Sequence, residues 1–191
     1  MKRDRIRPGN LPARYTVFFD GCCEPKNPGG TAGYGYAVFE NMHRQAVAPR
    51  QPIHTHSGYI EASPTTSNNV AEFLAVRHAL GWFATRGDLG QSIHFFGDSM
   101  LVICILWGDP RRDRKRWRIT GVDHKVGQEP GRYAEHAVWC RGAIADMPRC
   151  QGFWLPREEN GLADELSKAE LRTLGVEFRI QPEDQNGTAE K

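Results

Sequence analysis

The sequence predicts one α/β domain built on a five-stranded mixed sheet, with helices on both faces. Three short runs of β-branched and aromatic residues come first and are joined only by loops, which favours an antiparallel arrangement. Helical patterns then alternate with two further apolar runs, which favours parallel strands in the later part of the sheet. The 191 residues, 39% hydrophobic and 25% charged, are enough for one domain with a full core.

The first three strands are indicated by composition and by the residues that separate them. Residues 15–20 and 34–39 are rich in β-branched and aromatic side chains, and residues near 57–62 supply the third strand. Glycines and prolines concentrated between residues 21 and 33 predict a turn that joins the first two strands. These three segments should therefore form a meander.

A long amphipathic helix is expected next in the chain. Ser67 or Asn68 can cap its N-terminus, apolar residues recur at helical spacing as far as Phe83, and Gly87 ends it. The remaining predicted elements are a strand at 92–97, a short helix at 99–106, a longer helix at 132–146, a strand at 150–155 and a last helix at about 161–174.

The two ends of the chain differ from this folded part in composition. Residues 1–13 are charged and contain two prolines, which predicts a flexible arm, and residues 182–191 predict a disordered tail. No apolar run approaches the roughly 18 residues that cross a membrane, and no secretory signal is present. Five cysteines, an odd number at scattered spacing, fit a reducing compartment, so we expect a cytoplasmic protein.

Four carboxylates stand where the predicted elements can bring them together. Asp20 and Asp98 each end an apolar run, whereas Glu72 and Asp164 each lie just inside a predicted helix. If the first and fourth strands are parallel neighbours, Asp20 and Asp98 meet at the sheet edge where ligands of α/β proteins collect. Buried acids are costly when their charge is uncompensated, and divalent cations are a common solution. The pattern therefore predicts a metal site.

The motifs around these acids resemble those of type 1 ribonuclease H. They are Phe-Asp-Gly at 19–21 with a glycine-rich turn at 27–35, Thr-Ser-Asn-Asn-Val-Ala-Glu at 66–72, Gly-Asp-Ser at 97–99, and Trp-Leu-Pro-Arg-Glu through Ala-Asp-Glu-Leu at 154–166. The order of the four motifs and their predicted elements both match the family. The resemblance implies the ribonuclease H-like fold, a catalytic domain over residues 14–181, and a basic handle at about 108–131.

The resemblance also implies a cofactor and a reaction. In the family the acids hold two Mg²⁺ ions, for which Mn²⁺ can substitute. By resemblance Asp20 would bridge the ions, with Glu72 and Asp98 on one side and Asp164 on the other. The implied reaction is endonucleolytic hydrolysis of the RNA strand of an RNA–DNA hybrid, leaving 5′-phosphate and 3′-hydroxyl ends. We expect a monomer, since no long exposed apolar helix suggests a dimer.

Substrate contacts are implied at the turn, at the start of the long helix and in the basic handle. The ribose 2′-hydroxyl distinguishes RNA from DNA, and Glu72 with backbone groups at Cys22 and Cys23 is placed to contact it. Asn27, Asn68 and Asn69 resemble groove-contacting positions, although Asn68 serves equally well as a helix cap. Net charge is only +2, but residues 111–118 hold six basic residues in eight, so we expect contacts to the DNA strand from Arg114, Lys115, Arg116, Trp117 and Arg118.

One loop departs from the family pattern, and two other functions stay open. Family members commonly carry a histidine before the last aspartate; here residues 156–159 contain none, and Arg157 or Glu158 is the candidate substitute. A nucleic-acid-binding module of the same fold that has lost catalysis is one alternative, although the complete set of four acids speaks against it. A nuclease of the same fold that acts on another substrate, such as double-stranded RNA, is the other.

Overall fold

The computed structural model describes residues 13–41, 51–123 and 131–179. Its sheet has five strands in the spatial order β3-β2-β1-β4-β5. The strands are β1 (Tyr15–Glu24), β2 (Thr31–Glu40), β3 (His54–Ile60), β4 (Ile93–Gly97) and β5 (Cys150–Trp154). The first three pair antiparallel, and β4 and β5 join β1 in parallel. The predicted mixed sheet is therefore confirmed.

Helices cover both faces of this sheet, as predicted. In the described part they are α1 (Asn68–Arg86), α2 (Met100–Leu106), α3 (Ala134–Ala145) and α4 (Gly161–Thr173). Because side chains alternate along β2, Tyr34 points to the α1 face, where its ring stacks on His78. The neighbouring positions Gly33 and Gly35 face the opposite side of the sheet, where the backbone of α4 packs closely against their Cα atoms. The main core lies between the sheet and α1–α3.

The ends of α1 follow the predicted capping signals. Ser67 is the N-cap, and its hydroxyl accepts a hydrogen bond of 3.4 Å from the backbone N–H of Val70. Gly87 ends the helix with φ of 75°, in the left-handed region that glycine enters without a Cβ penalty. Of the two predicted caps, Ser67 therefore takes the role and Asn68 becomes the first helical residue.

Two predicted boundaries were wrong. The turn predicted over residues 21–33 is shorter, because β1 continues to Glu24 and β2 begins at Thr31 with unbroken antiparallel pairing between them. The third strand begins at His54 rather than near residue 57, and it forms the edge of the sheet. Between β1 and β2, the local glycine content indicated a long turn, but cross-strand hydrogen bonds extend this hairpin further than the glycine content predicts.

Several predictions fall on parts of the chain outside the described residues. These are the N-terminal arm, of which only residue 13 is described, the C-terminal tail at 182–191, and the part of the basic handle at 124–130. Across the described ranges, no helix has both the length and the apolar character to cross a membrane. All five cysteines are buried with free thiols in this structure.

Candidate active site

The parallel pairing of β1 with β4 brings the first two acids to one edge of the sheet. Phe18 on β1 is in register with Phe96 on β4, and their rings lie 5.6 Å apart between centroids. Asp20 and Asp98 each follow two residues later, so the Asp20 carboxylate, midway along β1, lies level with the Asp98 carboxylate just past the carboxyl end of β4. This is the edge at which open α/β sheets bind ligands.

Helix α1 supplies the third acid because Gly21 lets it approach β1 closely. A Cβ atom at residue 21 would lie 2.3 Å from the backbone nitrogen of Glu72, so only glycine permits this contact. Strand and helix thereby hold Glu72 beside Asp20 and Asp98.

Asp20, Glu72 and Asp98 form a carboxylate cluster at this point. One oxygen from each lies within 4.8 Å of the others. Only 4% of Asp20 and 7% of Glu72 is exposed. Glu72 Oε2 and Asp98 Oδ1 are buried and have no hydrogen-bond partner in the described structure. Buried carboxylate oxygens without donors are suited to a hard divalent cation, which prefers oxygen ligands.

The electrostatics of this cluster favour a bound cation. The pKa of Asp20 rises from its ordinary value of 3.8 to about 7, mainly because the group is buried and also because of the negative charge of Asp98. Burial also raises the pKa of Glu72 well above its usual range, with the charges of Asp20 and Asp98 acting in the same direction. A cation among these groups would reverse both effects, since positive charge stabilises the ionised carboxylates.

Asp164 lies in the first turn of α4, as predicted, and flanks the other three acids rather than joining their 4.8 Å cluster. Its Oδ1 accepts a hydrogen bond of 2.9 Å from Arg157 Nη2, and its Oδ2 accepts one of 2.5 Å from Lys168 Nζ. Its negative charge contributes to the raised pKa of Asp20, so the two carboxylates interact. The site thus contains three clustered acids and a fourth held between two cations.

Two buried polar residues, one in α4 and one directly before it, support these acids and were missed at the sequence level. Ser167, which is fully buried, places its hydroxyl 2.9 Å from Asp20 Oδ2 and 2.8 Å from the backbone oxygen of Asp164. Asn160 donates a hydrogen bond of 2.9 Å to the carbonyl oxygen of Phe19 and so fixes the start of α4 to β1. Helical spacing offered one signal, since Ser167 follows Asp164 by three residues and shares its face.

The family of the chain can be assigned from its sequence together with this site. A model described as RNase H matches residues 12–171, which include all four acids. The chain belongs to the RNase H family. The resemblance drawn from the four motifs is thereby confirmed, and the family assignment supports nuclease activity.

Solved structures of similar fold include several RNase H proteins. The N-terminal RNase H domain of Rv2228c from Mycobacterium tuberculosis, solved as a fusion with maltose-binding protein, has a TM-score of 0.63 and 21% identity over 85% of this chain and 96% of that one. RNase H1 from the halophilic archaeon Halobacterium salinarum has a TM-score of 0.61 and 22% identity, covering 84% and 98%. LC11-RNase H1 in complex with an RNA/DNA hybrid has a TM-score of 0.57 and 23% identity, covering 84% and 98%. These likenesses show the fold.

The predicted RNA-side residues of this RNase H chain lie next to one another. Asn27, in the turn between β1 and β2, accepts a hydrogen bond of 3.1 Å from the backbone N–H of Asn68 at the start of α1. Asn69 beside it is exposed. The thiols of Cys22 and Cys23 point inward, to the carbonyl oxygens of Ser167 and Lys26, so their backbone alone can face a substrate.

A cavity of about 820 Å³ adjoins these residues and the fourth acid. Its wall includes Asn68, Asp164 and three cationic side chains, those of Arg157, Lys168 and Arg179. Each of these cations is paired with an acid of the same wall, Arg157 and Lys168 with Asp164 and Arg179 with Glu24, so a phosphate-bearing ligand would compete with those acids for the cations.

The described part of the basic handle is an irregular loop fixed by one buried acid. Asp109 is 1% exposed, and its carboxylate accepts hydrogen bonds from the Arg111 guanidinium and from the Trp117 indole at 3.2 Å. The Arg111 hydrogen bonds hold the pKa of Asp109 well below its usual range. Arg114 donates to the carbonyl oxygen of Gly152 at 3.0 Å, which ties the loop to β5.

Of the five predicted DNA-strand contacts, two therefore also have internal partners. Arg114 is bonded to β5, and Trp117, still 37% exposed, is bonded to Asp109. The side chains of Lys115, Arg116 and Arg118 are exposed, and no hydrogen bond or ion pair to a described residue engages them. Arg112 is also exposed and its side chain has no such partner, so the described handle presents four free cations, three of which are predicted contacts.

Proposed function

We propose that this chain is a metal-dependent endonuclease that hydrolyses the RNA strand of RNA–DNA hybrids. The observation that carries the proposal is the cluster of Asp20, Glu72 and Asp98, of which the first two are buried, with one oxygen from each within 4.8 Å of the others and two oxygens without a donor among the described residues. An apolar or hydrogen-bonded replacement would cost less free energy than these closely placed acids if no cation were bound there. Membership of the RNase H family agrees with this chemistry.

The four acids would divide between two metal positions. Asp20, Glu72 and Asp98 would hold one Mg²⁺ ion, and Asp20 with Asp164 would hold the second, with Mn²⁺ able to replace either. Two such ions, when bound, supply an activated water for attack on the scissile phosphate and charge stabilisation for the leaving oxygen. The products would carry 5′-phosphate and 3′-hydroxyl ends.

The protein's own contribution is to hold these acids rigidly. The close approach of Gly21 to the backbone of α1 sets the position of Glu72, and the Trp154 indole donates a hydrogen bond of 2.9 Å to the backbone oxygen of Asp98. Arg157 holds Asp164 from the loop that lacks the family's usual histidine, and its positive charge also lowers the pKa of Asp20. Both Arg157 and Glu158 are exposed on the same short turn, but Arg157 is bonded to Asp164 and is therefore the better candidate to replace that histidine.

The substrate assignment rests on the arrangement of polar groups around the cluster. The RNA strand would lie against the backbone at residues 22–23 and against Asn27, Asn68 and Asn69. The 2′-hydroxyl contact would then reach Glu72. The DNA strand would cross the handle, where Lys115, Arg116 and Arg118 contact its phosphates. LC11-RNase H1, a protein of the same fold, was solved with an RNA/DNA hybrid.

Cleavage of end-labelled duplexes tests this proposal directly. The parent protein should cut hybrid with Mg²⁺ and not with EDTA, and Asp20→Asn or Asp98→Asn should lower the rate at least a hundredfold. Asp146→Asn, which removes an exposed acid at the end of α3, is the matched control and should cut like the parent. If Asp20→Asn cuts hybrid as fast as the parent, the site assignment is wrong.

The same assay separates the two alternative functions. A parent protein that binds hybrid but never cuts it would be a binding module of this fold. Faster cleavage of double-stranded RNA than of hybrid would show a nuclease with a different substrate. We also propose a monomer in a reducing cytoplasm, in agreement with five free, buried cysteines, and light scattering of the purified protein would measure its mass.

A further inference from the structure

The hydroxyl of Ser167 links the first acid of the cluster to the fourth. It lies 2.9 Å from Asp20 Oδ2 and 2.8 Å from the backbone oxygen of Asp164, and the serine is fully buried. Asp20 and Asp164 belong to elements at opposite ends of the chain, β1 and α4. Ser167 is therefore the point where the helix that carries the fourth acid bonds to the acid assigned to both metal positions.

A hydroxyl carries a single proton, and both neighbours of Ser167 are acceptors. The proton can thus be donated to only one of them at a time. An ionised carboxylate is a stronger acceptor than a peptide carbonyl, so in the form that binds a cation the proton goes to Asp20 Oδ2. The carboxylate then has one oxygen fixed by Ser167 and its remaining lone pairs available to ligate.

The position of Ser167 is set by close packing and not by its side chain alone. Helix α4 crosses β2 at two glycines: a Cβ atom at Gly33 would lie 2.0 Å from the Ser167 oxygen, and one at Gly35 would lie 2.6 Å from its nitrogen. The Cys22 thiol also donates to the Ser167 carbonyl oxygen at 3.2 Å. With its backbone fixed from three sides, the serine presents its hydroxyl to Asp20 in one place.

We propose that Ser167 is a positioning residue for the metal site, which orients the Asp20 carboxylate and holds it at a set distance from Asp164. This inference rests on the proposed function, since it concerns the same acids. Partners that orient a metal-binding carboxylate change metal affinity by roughly 10- to 100-fold. A neutral hydroxyl is a weaker donor than a charged group, so loss of this one should weaken metal binding by about tenfold.

The test compares three variants with the parent. Ser167→Ala removes the hydroxyl, and Ser167→Cys keeps a weaker donor at the same position. Thr173→Val is the matched control, because Thr173 is another α4 residue whose hydroxyl bonds a helix carbonyl, that of Ala169 at 3.2 Å, and it is exposed. Binding of Mn²⁺ to the protein without nucleic acid is measured from the electron paramagnetic resonance signal of the free ion. Hybrid cleavage is then followed across a Mg²⁺ titration.

A positioning role predicts a specific pattern across these readouts. Ser167→Ala should weaken Mn²⁺ binding about tenfold and raise the half-saturating Mg²⁺ concentration by a similar factor. The KM for hybrid should stay within twofold, because Ser167 is buried and does not touch the substrate cavity. Ser167→Cys should fall between the parent and Ser167→Ala, and Thr173→Val should match the parent. Thermal unfolding of each variant shows whether it is folded, and Ser167→Cys carries the test if Ser167→Ala is not.

Two outcomes would overturn the inference, and they can be told apart. If the parent binds Mn²⁺ and cuts hybrid but Ser167→Ala binds Mn²⁺ within twofold of it, Ser167 has only a packing role. If the parent binds no Mn²⁺, or Asp20→Asn binds it as tightly, the proposed metal site itself fails and the role of Ser167 fails with it.

Discussion

The carboxylate cluster should cost the metal-free protein stability, and replacing one acid should recover it. Asp20 is the clearest position, because burial and the charge of Asp98 raise its pKa from 3.8 to about 7. Asparagine has nearly the same shape, carries no charge, and can still accept the hydrogen bond from Ser167. Asp20→Asn should therefore abolish cleavage and yet stabilise the fold in EDTA.

The magnitude follows from the raised pKa. Each pKa unit is worth about 1.4 kcal/mol, so the rise from 3.8 to about 7 corresponds to a cost of about 4 kcal/mol near neutral pH. Glu72 and Asp98 remain in the cluster, so we expect the variant to recover roughly half, about 2 kcal/mol. For a domain of this size, that gain raises the Tm by roughly 4–8 °C.

The pH dependence gives the direction of the effect. A carboxyl group whose pKa is raised in the folded state holds its proton where the unfolded chain has already lost it. Stability is therefore lost as pH rises from 3.8 to about 7, the opposite of an acid in a salt bridge. The advantage of Asp20→Asn should be full at pH 7.5 and should shrink towards pH 4.

Thermal unfolding followed by circular dichroism in EDTA measures this difference. Mn²⁺ should raise the Tm of the parent more than that of Asp20→Asn, because ligands that bind only the folded state stabilise it. Asp146→Asn is exposed and should leave the Tm unchanged. An Asp20→Asn variant that melts at or below the parent temperature at pH 7.5 would refute the electrostatic reasoning, as would an advantage that grows towards pH 4.

Three further predictions test other parts of the structure. Gly21→Ala places a methyl group 2.3 Å from the Glu72 nitrogen, so urea unfolding should show a loss of about 2–3 kcal/mol; an unchanged midpoint would contradict the close approach. Replacing Arg116 and Arg118 together by alanine should weaken hybrid binding measured by fluorescence anisotropy. The slope of the logarithm of the binding constant against the logarithm of the salt concentration should become shallower by about two. An unchanged slope would exclude the two arginines from phosphate contact. Burial and the positive charge of its neighbours lower the pKa of His78 below 6.5, so the free energy of unfolding falls as pH drops below that value. In His78→Gln, the free energy of unfolding measured in urea should depend less on pH between about pH 7 and pH 5. An equally steep loss in the variant would exclude this group.

Local sequence patterns predicted the strands and helices well and pointed to the acids that the structure places near one another. The capping serine and terminal glycine of α1, the apolar runs of the strands and the four motif acids are all signals carried by a few adjacent residues. Such signals survive in any tertiary setting, because helix ends and strand periodicity depend on backbone hydrogen bonds and on the placement of apolar side chains. They do not report how far a hairpin extends, which is why the predicted turn between β1 and β2 was too long.

The arrangement of the site was decided by tertiary structure. The sequence alone indicated four acids that the predicted elements could bring together, but it did not show that three cluster while Asp164 lies between Arg157 and Lys168. Nor did it reveal the bond between Ser167 and Asp20, which joins residues 147 positions apart. That bond exists because strand pairing sets the register of β1 and because two glycines of β2 let α4 approach within contact distance. Contacts of this kind depend on the packing of whole elements, and no window of adjacent residues encodes them.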